Sequence, residues 1–239
     1  MTVDTRVPQS ALAVYAHPDD PEISAGGTLA KWAAAGAVVH VLVTTLGDKG
    51  SDDPNAEPAA VATMRATESD AAARVLGLAG HANLGFPDGE LEDIEALRGA
   101  ICQVVRELQP EVVLCPDPTS VFFGDRYINH RDHRVTGWAT LDAISPAAAS
   151  PHYFADQIAA GLSPHRVRAV YCSGTFEPNA WIDIASSLDT KIDALYEHRS
   201  QLVEAGEWFR TFLRDRAEEE GRPVGVRYAE AFRRVMLHD

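Results

Sequence analysis

Short apolar runs and helix-length segments alternate along the first half of this chain, and that alternation restricts it to few architectures. Ala11 to Ala16 reads as a buried strand ending at the polar turn His17-Pro18-Asp19-Asp20. A helix signal follows at once: Asp20 suits the N-cap, Pro21 the first helical position, Ala25 to Ala35 the body and Gly36 the stop. Val38 to Thr45 is a second β-branched run, so the opening reads as a βαβ unit. The pattern repeats with a helix over Ala59 to Leu78, a short strand over His81 to Leu84, an amphipathic helix over Ile94 to Leu108 and a strand over Val112 to Cys115. Strands and helices of this length predict a Rossmann-like α/β fold, a mostly parallel sheet with helices on both faces.

Residues 46–58, 116–129 and 145–164 read as loops. In the last third, Val167 to Cys172 and Trp181 to Ile184 read as strands, Thr190 to Ala205 as a helix and Glu207 to Glu220 as a charged helix. Nothing marks a boundary, so residues 1–239 are expected to form one domain, the C-terminal part packing on the rest as an extension. With 46% hydrophobic residues, 239 residues can bury a core without disulfides. Cys102, Cys115 and Cys172 are widely spaced and are expected to pack as small hydrophobes.

A net charge of -14, without a long basic run, argues against a nucleic-acid partner. No apolar stretch approaches the roughly 20 residues of a membrane span. The N-terminus MTVDTRVPQS lacks an apolar signal core, which predicts a cytoplasmic protein.

Two polar clusters carry the chemistry. His17-Pro18-Asp19-Asp20 lies where the first strand hands over to the first helix, and Asn129-His130-Arg131-Asp132-His133 follows the loop after the fourth strand. In a parallel sheet both loops emerge at the same edge, where open α/β proteins bind ligands. Together the clusters offer three histidines and three aspartates. Two histidines and one aspartate would hold a hydrolytic zinc with a position left for water, and the others would supply a base, an acid and orienting contacts. Each residue alone has a plainer explanation: Asp20 as a helix cap, His17 as a turn residue, H-x-D-H as a polar helix start. Their joint occurrence at two strand ends is the stronger signal. The same ligand types describe a non-haem Fe(II) oxygenase, although such triads usually sit in all-β barrels. A nucleotide-binding module is a third class, suggested by Gly26-Gly27 but lacking G-x-G-x-x-G.

The motifs resemble those of the LmbE-like deacetylase family, also called PIG-L. Its A-H-P-D-D marker matches Ala16 to Asp20, followed by Glu22 and Gly26-Gly27-Thr28. Arg65 and Glu68, Leu84 to Leu91, HRDH at His130 to His133, Lys191 to Leu202 and Tyr228 to Phe232 extend the likeness over nearly the whole chain, in the manner of actinobacterial members. Arg131 stands where the family usually has proline, and Pro21 is a second variant position; neither removes a ligand or an acid/base group.

The resemblance implies a zinc-dependent amide hydrolase that removes an N-acyl group, usually acetyl, from an amino-sugar conjugate. It implies His17, Asp20 and His133 as metal ligands, Asp19 as general base, His130 as the acid or oxyanion partner, and Asp132 as the group that orients His130. Arg65 and Asp88 would hold sugar hydroxyls, with Leu91 as an apolar neighbour; the plainer readings are a helix-face arginine and an Asp-Gly turn. Tyr127 is a further oxyanion candidate, and Asp48 to Asp53 is either an entrance or a solvated loop. Fe2+ can stand in place of zinc on such ligands. Within the family the alternatives are a thiol S-conjugate amidase and a deacylase of antibiotic intermediates. A homo-oligomer is compatible with the resemblance, which leaves the assembly open.

Overall fold

The run beginning at Ser10 forms β1 (Ser10–Tyr15), and its side chains divide strictly between two cores. Ala11, Ala13 and Tyr15 pack with Leu29 and Trp32 on one face of the sheet; Leu12 and Val14 pack with Leu97, Ile101 and Val105 on the other. This period-two division, on a strand whose central residues are all apolar, is what a sheet covered by helices on both faces demands. The computed structural model describes residues 2–92, 94–202 and 206–238, with only the main chain of residue 207.

The order continues with α1 (Asp20–Ala34), β2 (Val38–Thr45), α2 (Pro58–Leu76), β3 (Gly80–Phe86), α3 (Ile94–Leu108) and β4 (Val112–Pro116). A small hairpin of β5 (Phe122–Phe123) and β6 (Tyr127–Ile128) precedes α4 (Arg131–Asp142) and the short α5 (Ala155–Ala159). Then come β7 (Ala169–Ser173), β8 (Ala180–Asp183), α6 (Leu188–Leu195), α7 (Gly206–Gly221) and β9 (Ala229–Met236). Among the described residues the main sheet runs β3-β2-β1-β4-β7-β9-β8. The first five of these pair in parallel, while β9 runs antiparallel to both β7 and β8. The mostly parallel α/β architecture expected from the sequence is therefore present. Among the described residues no helix is long and apolar enough to cross a membrane.

Strand order reverses at β1. The chain winds outward through β2 and β3, then crosses back through α3 to lay β4 on the other side of β1. A crevice opens between the loops leaving β1 and β4 at such a switch point.

Several expectations need correction. Asp19, not Asp20, caps α1, and its side chain makes no cap bond; Asp20 is the first helical residue, its carboxylate turned to other partners. The helix read over Thr190 to Ala205 ends at Leu195. From there Ser200 donates through N and Oγ to Glu68, and Gln201 donates to the Gly50 carbonyl, so tertiary bonds draw the chain out of the helix. Residues 203–205 of that reading lie outside the described residues. Residues 116–129, read as loop, contain the β5–β6 hairpin, and α5 lies within 145–164. Cys102, Cys115 and Cys172 are buried and free, as small hydrophobes would be.

The C-terminal segment locks onto α1. Buried Glu230 of β9 accepts from Gly27 N (3.0 Å) and Thr28 N (2.8 Å) and pairs with Lys191 Nζ of α6 at 2.6 Å. A Cβ on Gly27 would lie 2.8 to 2.9 Å from Ile184 atoms, so the glycine pair serves close packing here. That accounts for Gly26-Gly27 without a nucleotide.

Candidate active site

The turn leaving β1 is sharp. Asp19 has φ 97, a left-handed conformation that costs a residue with a side chain, and such strain gathers at functional sites. Past this kink Asp20 Oδ2 accepts from His17 N at 2.8 Å, which folds the Asp20 carboxylate back beside the His17 ring. His133, in the first turn of α4, meets both from across the crevice.

Three ligand residues converge there. His17 Nδ1 is 3.2 Å from His133 Nε2 and 3.3 Å from Asp20 Oδ2, and His133 Nε2 is 3.2 Å from Asp20 Oδ1. Tetrahedral ligands with metal bonds of about 2.0–2.2 Å stand roughly 3.3–3.6 Å apart, close to these separations. The outer ring nitrogens face oxygen atoms, as those of metal-binding histidines do. His133 Nδ1 is 2.8 Å from Asn129 Oδ1, and His17 Nε2 is 3.1 Å from Asp88 Oδ1 and 3.5 Å from Asp132 Oδ2.

The electrostatics call for positive charge at this point. Burial acts to lower the His17 pKa, yet Asp20, Asp132 and Asp88 around it push it up to about 12. Burial likewise acts against the Asp20 carboxylate, but His133 and His17 hold it well below the usual range. This group, His17, Asp20 and His133, could hold a metal ion; His17, His130 and Asp132 form an overlapping second group.

The remaining residues surround this triangle. Asp19 is pushed up to about 7, by burial first and then by Asp20, against the pull of Arg65. Arg65 is buried; its guanidinium donates to the carbonyls of Pro18 (2.6 Å) and Gly47 (3.1 Å) and lies 3.3 Å from Asp19 Oδ2. It thus buttresses the Asp19 turn from behind. Asp88 faces His17, and its own N–H donates to Asp48 of the acidic loop at 2.9 Å. Leu91 is buried in the core with Leu97 and Ile101.

His130 caps α4, its Nδ1 accepting from Asp132 N at 3.3 Å, and its ring centroid is 4.8 Å from that of His17. Burial and the neighbouring His17 lower its pKa. Asp132, fully buried, accepts from Gly89 N at 2.6 Å through Oδ2, while Oδ1 has no hydrogen-bond partner among the described residues. Asp132 Oδ2 also lies 3.5 Å from His17 Nε2. A cavity of about 880 Å³ opens on this centre and is lined by Asp19, Asp20, Asn129 and His133, with Tyr127 on its wall.

Two residues were given no role by the sequence. Asn129, adjacent to the HRDH motif, orients His133. His198, fully buried, sets Nε2 3.3 Å from Glu22 Oε2; burial lowers its pKa but Glu22 raises it above the ordinary value. The signal for His198 was its place within Lys191 to Leu202, which carried the family likeness but no assigned chemistry.

This α/β crevice with a two-histidine, one-carboxylate centre is of the kind found in metal-dependent hydrolases. The family model described as PIG-L, GlcNAc-PI de-N-acetylase, matches residues 12–144, and this chain belongs to that family. A diacetylchitobiose deacetylase of Thermococcus kodakarensis is 34% identical over 95% of this chain and 83% of its own length. A 1D-myo-inositol 2-acetamido-2-deoxy-alpha-D-glucopyranoside deacetylase of Kineococcus radiotolerans is 33% identical over 69% of this chain, a match spanning 51% of that protein. Among solved structures, an N,N'-diacetylchitobiose deacetylase from Pyrococcus horikoshii superposes with TM-score 0.88 at 30% identity, covering 96% of this chain and 84% of the other. The relatives named here are deacetylases, that is, amide hydrolases.

Proposed function

We propose that this protein is a zinc-dependent N-deacetylase acting on a small amino-sugar conjugate, with His17, Asp20 and His133 as the metal ligands. The observation that carries the reading is the close grouping of the three ligand residues with a strained, half-buried Asp19 beside it. Zinc bound there would polarise the amide carbonyl as a Lewis acid and acidify water.

The side chains then divide the proton work. Asp19, with a pKa raised to about 7, suits a base that takes a proton from water and hands it on to the leaving amine. Arg65 fixes its orientation and favours its ionised form. His130 accepts from Asp132 N at Nδ1, so in the neutral ring the proton sits on Nε2. That N–H suits a donor to the oxygen that gains charge as the amide carbon becomes tetrahedral. Asp132 holds His17 and the start of α4 in register, and so positions His130 through the main chain. Asp88 orients His17 from its Nε2 edge. The two-histidine, one-carboxylate set would also serve an iron oxygenase, but the family is one of hydrolases and no feature of the crevice favours the oxygenase.

The test is metal analysis of the purified protein and of His133→Ala, with acetate release measured on N-acetylglucosaminides. One zinc per chain, lost together with activity in the variant, is expected. Iron as the bound and active metal would correct the metal alone. A protein that binds neither metal and stays inactive when both are supplied overturns the reading.

A further inference from the structure

We propose that the catalytic cavity contains a second subsite, built for an uncharged apolar group, aryl or alkyl, carried by the amino sugar away from its acylated nitrogen. The inference rests on the deacetylase reading and deepens it to a class of substrate.

The cavity is larger than the chemistry needs. About 880 Å³ lies toward the upper end of the range that holds drug-sized ligands, and one acetamido-sugar ring does not fill it. Nor does it stop at the ligand triangle above β1 and β4. Its wall continues past Ser173 and Gly174 at the end of β7 to Ala231 of β9 and Trp181 of β8. By the strand order β1-β4-β7-β9-β8 that is four strand spacings, roughly 19 Å.

The lining changes character along the way. At the triangle it is carboxylate, imidazole and amide. Beyond it, Phe123 packs on Phe176 with centroids 5.1 Å apart and on Tyr127 at 6.0 Å, and Phe212 of α7 also lines the cavity. Phe176 is 59% and Phe212 48% exposed, and a phenylalanine ring has no polar tip that water would reward. Such rings gain from being covered by apolar surface.

Charge narrows the occupant further. Glu219 and Glu220 line the same region, and Arg216 is already paired with Glu220 at 3.2 Å. Among the described lining residues there is no unpaired cation to receive a phosphate or carboxylate. In a chain of net charge -14 an anionic group would be repelled. A neutral apolar group meets neither obstacle.

The experiment compares the zinc-loaded enzyme on the methyl, octyl and nitrophenyl glycosides of N-acetylglucosamine and on diacetylchitobiose. The octyl and nitrophenyl glycosides are expected to exceed the methyl glycoside at least tenfold in kcat/KM. That ratio should fall toward one in Phe176→Ala and in Phe212→Ala, which lie on different elements and whose folding is checked by thermal melting. A ratio near one in the wild type, or one that both variants leave intact, overturns the proposal. Diacetylchitobiose outrunning both apolar glycosides overturns it in favour of a second sugar. If no acetamido sugar is hydrolysed, calorimetric binding of the free-amine glycosides decides. Nitrophenyl glucosaminide binding at least tenfold tighter than the methyl compound, with the advantage lost in both variants, would uphold the subsite while the deacetylase reading fell. Equal binding would remove the subsite as well.

Discussion

Asp19 combines a backbone angle that L-residues avoid with a carboxyl group partly withdrawn from water, and both costs are borne at one position. If that carboxyl is the base, Asp19→Asn keeps the size and the tolerance of left-handed backbone but loses the proton acceptor. Turnover should fall by about 10²- to 10⁴-fold. Metal content should be unchanged, since the triangle of His17, Asp20 and His133 is intact. Acetate release together with metal analysis checks both halves; undiminished turnover would remove Asp19 from the mechanism.

The pH profile follows from the same residue. A carboxyl base works only when ionised, so kcat/KM should drop on the acid side of a pKa near 7, and a cation bound beside Asp20 would move that limb lower. The Arg65 charge favours ionised Asp19. Arg65→Met should therefore shift the acid limb to higher pH, whatever it does to the maximum rate. A limb that stays put would mean Arg65 acts on the fold alone. Little of this was legible in the sequence: HPDD and HRDH advertise their donors, but the pairings His17–Asp88, His133–Asn129 and Arg65–Asp19 depend on how the loops pack. Asp20 was misread as a cap because helix-start statistics cannot see a carboxylate claimed by two histidines.

At the scale of elements, the periodic segments were readable and the tertiary exceptions were not. The bounds of α3 coincide with its amphipathic run, because a helix with one apolar face has one way to lie on a sheet. Strand β9 was missed because Ala229–Met236 carries Glu230, Arg233 and Arg234, which blur the alternation; the glutamate is nonetheless buried, its charge met by Lys191 and by two main-chain N–H groups of α1. Lys191→Met would leave that carboxylate buried with no cation. The expected loss is about 3–5 kcal/mol of unfolding free energy, read from urea denaturation. The double variant Lys191→Met, Glu230→Gln should recover part of it, because Gln removes the buried charge while its single amide oxygen still accepts from one of Gly27 N and Thr28 N. A double variant as unstable as the single would show that packing, not charge, sets the cost.

Across the whole molecule the site spans the point where the sheet reverses its winding. His17 and Asp20 belong to the β1–α1 turn, while His133 belongs to α4, reached only after the chain has crossed back over β2 and β1. An ion shared by the three joins segments about 115 residues apart in sequence, and one that binds only the folded state stabilises it by RT ln(1 + [L]/Kd). At a hundredfold excess over Kd that is about 2.7 kcal/mol, which for a chain of this size raises Tm by roughly 5–11 °C. Without an ion, two imidazoles and a carboxylate face one another at 3.2–3.3 Å, and proton uptake must supply the positive charge that the surrounding carboxylates favour. Chelator-treated protein should accordingly melt lower at pH 8, where protons are scarce, than zinc-loaded protein. The gap should narrow toward pH 6 as protons compete with the metal for the same nitrogens. Differential scanning calorimetry of both forms measures it, and His133→Ala serves as the control that should lose most of the zinc-dependent rise. An equal rise in that variant would place the stabilising ion somewhere other than the crevice.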